Sequence, residues 1–300
     1  RLAGDGGIMA QQSTRSDNPP LINGVHEIAE RYDAFILDIF GVIHDGIRPF
    51  PGTIKCLQAM KEMGKATCLL SNSPRRVSGA VSQMEMMGIS SSLFDHAVTS
   101  GEATYQALTN RDEALGNDCW FIGTGVVSEI MDGLDLNLVD GPEDASFILN
   151  SIPGTETSAV EILKQQLQTA ADKGLPMICA NPDLVVNIGS AQHECAGTFA
   201  KYYEELGGHV IYHGKPYEPV YEMCYELLEK PEKSKLCAIG DSFHTDITGA
   251  NRFGIDSVMN LVGIHWDEIV TNGDIDPRKM HAMLSAQSTH PTYMMSGFDW

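Results

Sequence analysis

From Tyr32 onward, short apolar runs suited to strands alternate with helical stripes, a pattern that directs a chain toward βαβ units on a mainly parallel sheet. The first unit is legible residue by residue. Ala34 to Ile39 is a near-continuous apolar run, as a strand buried on both faces requires, and Ala66 to Leu70 is a second. Between them the spacing predicts a helix that follows Pro51-Gly52, is capped by Thr53, turns Ile54, Leu57, Met60 and Met63 inward and stops at Gly64. A further helix after Pro74 gathers Val77, Ala80, Val81, Met84 and Met87 on one face and ends at Gly88, its methionines reading as core. Val98-Thr99 reads as a short strand, with a helix starting near Ser100.

The texture then changes. Trp120 to Gly123, Ser146 to Asn150 and Pro176 to Ala180 are strand-like and Thr157 to Lys173 is helical, which marks 104–206 as a compact α/β insert. At Gly207-Gly208 the chain turns back to the first unit. His209 to Tyr212 reads as a strand there, Val220, Met223, Leu227 and Leu228 as a helix stripe, and Leu236 to Ile239 as a buried strand running into Gly240-Asp241. Ser257 to Leu261 reads as the last core strand. The expected fold class is therefore α/β: a doubly wound, mainly parallel sheet from 22–103 and 207–300, with a second, smaller α/β domain inserted. Three hundred residues suffice for two such units at about 100 to 200 residues each. Residues 1–21, rich in Gly, Ser, Asp and Pro, read as a flexible tail, with Met9 as a candidate start.

Composition narrows function by exclusion. Twenty Lys and Arg against 40 Asp and Glu leave a net charge of -20, a field that repels phosphate backbones and anionic bilayers, so neither nucleic acid nor membrane is an expected partner. No apolar stretch approaches the ~20 residues of a bilayer span. Seven dispersed cysteines without a Cys-x-x-Cys spacing fit reduced thiols and a cytoplasmic location. A small anionic substrate is compatible with this charge if a bound cation or a cluster of donors offsets it.

Doubly wound sheets bind ligands beyond the carboxyl ends of their strands, and four places of that kind stand out. Strand one ends in Leu37-Asp38-Ile39-Phe40-Gly41-Val42, and strand two in Leu70-Ser71-Asn72-Ser73. A loop before a helix carries Gly214-Lys215-Pro216, and a late strand ends in Ile239-Gly240-Asp241-Ser242 with Asp246 five residues beyond Asp241. From the residues alone, this is a hard-cation site with phosphate donors beside it. Taken singly, each piece also reads as an ordinary turn, cap or solvated bend.

In this order the four pieces resemble the haloacid dehalogenase superfamily of phosphohydrolases. Its signature, Asp-x-Asp-Gly-Val/Thr, then Ser/Thr, then Lys, then Gly-Asp-x-x-x-x-Asp, is matched by Asp38, Ser71, Lys215, and Asp241 with Asp246. Gly41-Val42, Thr99-Ser100, Asn181-Pro182-Asp183, Gly214-Lys215-Pro216 and an insert between the Ser and Lys motifs resemble the class IIA branch of sugar-phosphate, nucleotide and nitrophenyl phosphatases. The resemblance runs from about Tyr32 to Trp266 and extends to Pro291–Trp300. It implies a Rossmann-like core with a cap domain that closes over a small phosphorylated substrate. It further implies that Asp38 attacks phosphorus to give an aspartyl-phosphate, and that Mg2+ is held by Asp38, the Phe40 carbonyl and Asp241. Ser71, Asn72 and Lys215 would hold the phosphoryl oxygens, Asp246 would orient Lys215 or a metal-bound water, and Ser242 would support the set from behind. Asn181 and Asp183 become the cap's candidate substrate contacts, and caps of this kind can pair, which is compatible with a homodimer.

One position departs from the signature. The second Asp, the general acid and base of the family's phosphatases, is Phe40 here, and a phenyl ring can neither protonate a leaving group nor deprotonate water. His44 and Asp45 are the candidate surrogate acids, weighed against an ordinary turn at His44-Asp45-Gly46, which the composition favours. Two other functions fit the residues: a phosphate-ligand binding protein that has lost rapid turnover, and a metal-free haloacid dehalogenase. Asp241 counts against the dehalogenase, because a second carboxylate beside the nucleophile adds only repulsion when no cation is needed. The absence of Gly-x-Ser-x-Gly counts against a serine hydrolase.

Overall fold

The computed structural model of the chain describes residues 18–151, 157–188 and 191–300. In chain order it begins with β1 (Leu21–Ile22), β2 (Ala34–Asp38), α1 (Thr53–Glu62), β3 (Ala66–Ser71), α2 (Val77–Met86), β4 (His96–Thr99) and α3 (Ser100–Thr109). Then come β5 (Asp118–Ile122), β6 (Asn137–Val139), β7 (Phe147–Asn150), α4 (Thr157–Asp172), β8 (Pro176–Cys179), β9 (Val185–Ile188), β10 (Ala191–Glu194), α5 (Ala196–Glu205) and β11 (His209–Tyr212). The remainder holds α6 (Glu218–Leu227), β12 (Leu236–Gly240), α7 (Thr248–Phe253), β13 (Asp256–Asn260), α8 (Trp266–Ile269), β14 (Val270–Thr271), β15 (Asp274–Ile275), α9 (Pro277–Ser285) and β16 (Tyr293–Met295).

Two parallel sheets organise these elements. The larger has seven strands in the order β1-β16-β13-β12-β2-β3-β4, and the smaller five in the order β11-β8-β7-β5-β6. The strands β2 and β12 are buried at every residue, as their apolar runs require of a sheet covered on both faces. Alternate residues of β2 serve the two faces. Phe35 and Leu37 pack with Leu57, Met60 and Met84 on one side, while Ala34 and Ile36 pack with Val220, Tyr221 and Cys224 on the other. The smaller sheet is covered on one face by α4 and α5, through Leu167, Phe199 and Tyr203. Helix α3 bridges the two units: Ala103 belongs to a core cluster of the large sheet and Leu108 to one of the small sheet. The strands β9 and β10 form an antiparallel hairpin apart from both. No helix among the described residues is long and apolar enough to cross a membrane.

Several expectations need correction. Thr53 does not cap α1; Gly52 does, in the left-handed conformation, while the Thr53 hydroxyl donates to the Ile43 carbonyl at 3.2 Å. The inward stripe of α1 is Thr53, Cys56, Leu57 and Met60, and both Ile54 and Met63 are exposed. A strict three-residue step slips by about 60° per step around a helix of 3.6 residues per turn, so it leaves the buried face within two turns. On α6 the buried residues are Val220, Tyr221 and Cys224, and Leu227, the helix's last residue, is exposed.

His209–Tyr212 does not return to the large sheet. It pairs with β8, from His209 opposite Pro176 to Tyr212 opposite Cys179, so the inserted sheet continues past 206. Nor is β13 the last core strand, because β16 pairs with it and with β1. The segment read as a tail therefore ends in structure at Leu21, opposite Met294; its first 17 residues lie outside the described residues.

Candidate active site

Strand order brings three of the four motifs together. β12, β2 and β3 are sheet neighbours, Asp38 and Ser71 are the last residues of β2 and β3, and Asp241 directly follows β12. Parallel pairing puts all three at one edge of the sheet, with Asp38 opposite Leu70 in the β2–β3 register. Lys215 reaches the same point from the loop between β11 and α6. It is 3% exposed, and its ammonium is hydrogen-bonded to the Asp38 carboxylate and, at 2.8 Å, to Asp246 Oδ1. Asp246 lies in a π-helical turn, Phe243–Ile247, a local distortion that re-aims a side chain. The Tyr221 hydroxyl donates to the Asp246 carbonyl at 3.1 Å, and Asp246 Oδ2 accepts from the Ser242 N–H at 3.2 Å.

Asp241 is held differently. Its Oδ2 accepts from the Ile264 N–H at 2.7 Å, and three glycines keep room for the acids. A Cβ on Gly41 or Gly263 would lie 1.9 or 2.0 Å from Asp241 Oδ2, and one on Gly240 would lie 2.1 Å from Asp246 Cγ. Asp38, Asp241 and Asp246 each offer an oxygen within 4.8 Å of the others. Burial pushes Asp38 well above the usual carboxylate range, with Lys215 opposing and Asp246 adding to the rise. Burial and then the Asp246 charge push Asp241 up to about 7. For Lys215, burial works against the charged form but is outweighed by Asp246 and Asp38, so it is held as an ammonium. Three buried carboxylates against one ammonium leave an excess of negative charge suited to a hard cation.

The other sequence candidates divide. Ser71 Oγ accepts from the Ser73 N–H at 3.1 Å, and the residue lines the cavity described below. The Asn72 side chain does not face a phosphate. Its Oδ1 accepts from the Lys215 N–H at 2.6 Å, and its Nδ2 donates to the Lys215 carbonyl at 3.0 Å and to Asp183 Oδ1 at 2.8 Å. Asp183 Oδ1 takes this contact, and the Asp183 N–H donates to Asn181 Oδ1 at 3.1 Å.

Phe40 meets the His44 ring edge-on at 4.7 Å. His44 Nδ1 accepts from the Gly46 N–H, burial pushes the ring down to about 4, and His44 is not among the residues lining the cavity. Asp45 does line it, but its Oδ1 closes a turn by accepting from the Ile47 and Arg48 N–H groups at 2.9 and 2.8 Å. The plain-turn reading of His44-Asp45-Gly46 thus describes their hydrogen bonds.

The cavity is about 890 Å³ and lies between the two sheets, lined by Asp38, Phe40, Ser71, Lys215, Asp241, Ser242 and Asp246 on one side and by Asn181, Asp183, Val185, Val186 and His193 on the other. Gly263 and Ile264, which fix Asp241, and the hairpin of β9 and β10 are absent from the sequence expectations. Gly263 carried a signal, as a glycine just beyond a strand's carboxyl end; the Ile264 contact is made by backbone and carried none.

A model of haloacid dehalogenase-like hydrolases matches residues 35–137 and a HAD-hydrolase-like model matches 212–285. A haloacid dehalogenase-like hydrolase from Brucella suis 1330 is 32% identical, with 92% of this chain and 99% of that one covered at a TM-score of 0.79. A 4-nitrophenylphosphatase from Thermotoga maritima shares the fold at 22% identity, 90% and 96% coverage and a TM-score of 0.68. Chronophin from Rattus norvegicus is 23% identical over 248 residues, 80% of each chain.

Proposed function

The chain belongs to the haloacid dehalogenase-like hydrolases, and from that premise we propose that it is a Mg2+-dependent phosphohydrolase acting on a small phosphorylated metabolite through an aspartyl-phosphate. The observation that carries this reading is the Lys215 ammonium, buried between Asp38 and Asp246 beside Ser71 and Asp241 at three adjacent strand ends. In the proposed reaction an Asp38 oxygen attacks phosphorus in line, the bond to the ester oxygen breaks, and the leaving group takes the electron pair. Water then attacks the aspartyl-phosphate, releasing inorganic phosphate and restoring the carboxylate. Lys215 and Ser71 hold the phosphoryl oxygens. Asn72 contributes by fixing the Lys215 loop, which leaves only its backbone N–H for the phosphate. Asp246 keeps Lys215 charged and aimed.

The residues present fit a hard divalent cation: the carboxylates crowd within 4.8 Å with too little positive charge between them, and glycines clear the space around Asp241. Asp38, Asp241 and the Phe40 carbonyl would hold Mg2+. When bound, it offsets the repulsion between the Asp38 carboxylate and an incoming phosphate. The inserted unit would act as a cap that closes the cavity and selects the leaving group. The phosphatase activity named for the Thermotoga maritima protein agrees in chemistry.

A second reading rests on Phe40, which lines the cavity and stands at the sequence position where the reaction wants a proton donor. A chain without that donor binds phosphate esters and turns them over slowly. A screen of phosphorylated metabolites with and without Mg2+, scored both for phosphate release and for ligand-induced thermal stabilisation, separates the two readings. Asp38→Asn should abolish release and keep the fold, and calorimetry should show Mg2+ binding that weakens sharply in Asp241→Asn. Full turnover in EDTA would sink the Mg2+-dependent mechanism.

A further inference from the structure

Asn181 follows β8 on the inserted side of the cavity and is 6% exposed. Its amide orientation is fixed. Oδ1 accepts from the Asp183 N–H at 3.1 Å, and the residue's backbone carbonyl accepts from the Cys179 thiol at 3.4 Å. The Nδ2 group therefore points the other way with two hydrogens to place. One meets the Cys195 thiol, a weak acceptor that also lines the cavity. For the other, no acceptor is found among the described residues, and the carboxylates on the same cavity wall turn an oxygen elsewhere, Asp183 Oδ1 to Asn72 at 2.8 Å and Glu204 Oε2 to the Tyr212 hydroxyl at 2.9 Å.

We propose that Asn181 donates this hydrogen bond to an acceptor oxygen on the substrate's leaving group, so that the cavity selects phosphate esters carrying a carbonyl, nitro or carboxylate oxygen. The inference rests on the phosphohydrolase reading, to which it adds a class of leaving group. Val185, Val186 and Val262, also on the cavity wall, offer no side-chain hydrogen bond to a leaving group. An ester without an acceptor would leave the amide N–H desolvated against carbon, and a donor left unpaired is what makes a polar pocket discriminate.

The test is calorimetric and uses two aryl phosphates of similar leaving-group acidity, 4-acetylphenyl phosphate and 3,4-dichlorophenyl phosphate, with Asp38→Asn blocking turnover. Adding Asn181→Ala should weaken the acetyl ester by about tenfold or more and the chlorinated ester by less than about twofold. Asn181→Asp, which keeps an acceptor for the Asp183 N–H and removes the donor, should lose the acetyl ester at least as strongly while inorganic phosphate still binds. Equal losses for both esters, no loss for either, or no binding of either ester before Asn181 is changed would overturn the inference. Phosphate release by the wild type is measured alongside; its absence, with the Asn181-dependent affinity intact, would count against hydrolysis and leave the contact standing.

Discussion

A phenyl ring in place of a carboxyl group alters the chemistry available at Phe40, and the hydrogen bonds of its neighbours offer no ready substitute. His44 is turned onto the Gly46 N–H and Asp45 onto two backbone N–H groups. The leaving oxygen must then depart as an anion, so activated esters such as nitrophenyl or acyl phosphates should turn over and alkyl phosphates lag. General acid and base assistance is worth about 10²- to 10⁴-fold, so Phe40→Asp should raise alkyl phosphate turnover by a factor in that range and activated esters far less. Fast alkyl phosphate turnover by the wild type, unchanged in Phe40→Asp, would show that another side chain donates the proton. His44 also makes a statement about stability. Its folded value of about 4 lies below the ordinary 6.5 because burial disfavours the cation, so between those values the unfolded chain binds the proton and the folded chain does not. His44 should therefore take up to about 3 kcal/mol from stability as pH drops from about 6.5 toward 4, against the opposite contribution of Asp38 and Asp241, whose raised values make the folded chain the better proton binder over that range. Urea unfolding across the window should show the His44 contribution as a difference, with His44→Asn gaining stability relative to the wild type as pH falls toward 4.

Among the elements, the turn after β2 is the most tightly specified. Gly41 has φ of 83° and would drive a Cβ into Asp241 at 1.9 Å, whereas Gly64, with φ of 68°, meets nothing within 4 Å. Gly64→Ala should cost only the left-handed conformation, about 1 kcal/mol, while Gly41→Ala should cost more than about 2 kcal/mol and weaken Mg2+ binding as Asp241 is displaced. Equal melting shifts for the two variants would mean that Asp241 moves aside freely. The same turn marks how far sequence reasoning reached. β2, β3 and β12 were legible because central strands are apolar on both faces, and Asp38, Ser71 and Asp241 because they terminate those strands. β1 and β16 were not, since two- and three-residue strands carry no periodicity. β11 reads as a strand, but the sequence does not say which sheet holds it, because pairing partners leave no mark on a four-residue run. The engagement of Asn72 escaped for a related reason: its partners, Lys215 and Asp183, lie 143 and 111 residues away.

At the scale of the whole molecule, polar contacts among the described residues tie the inserted unit to the larger sheet. Asn72 joins the Lys215 loop to Asp183, and the Arg76 N–H at the start of α2 donates to Glu129 Oε1 at 2.8 Å. Asn72→Ala strips partners from two backbone groups and a carboxylate at once, so it should cost about 2 to 4 kcal/mol in urea unfolding. A loss below about 0.5 kcal/mol would show that the Lys215 loop is held by other means. Whether the two units come apart separately is a question the cysteines are placed to answer. All seven are buried and none is in a disulfide. Cys56, Cys68, Cys224 and Cys237 lie in α1, β3, α6 and β12, and Cys119 and Cys179 in β5 and β8, with Cys195 just ahead of α5. Cys195 faces the cavity; the other six are reached by a thiol reagent only when their surroundings open, which makes the chain its own unfolding clock with a separate hand in each unit. If Cys119 and Cys179 are alkylated ahead of Cys56, Cys68, Cys224 and Cys237, the insert opens while the larger sheet stays shut; one common rate for these six means that a single event releases the whole chain.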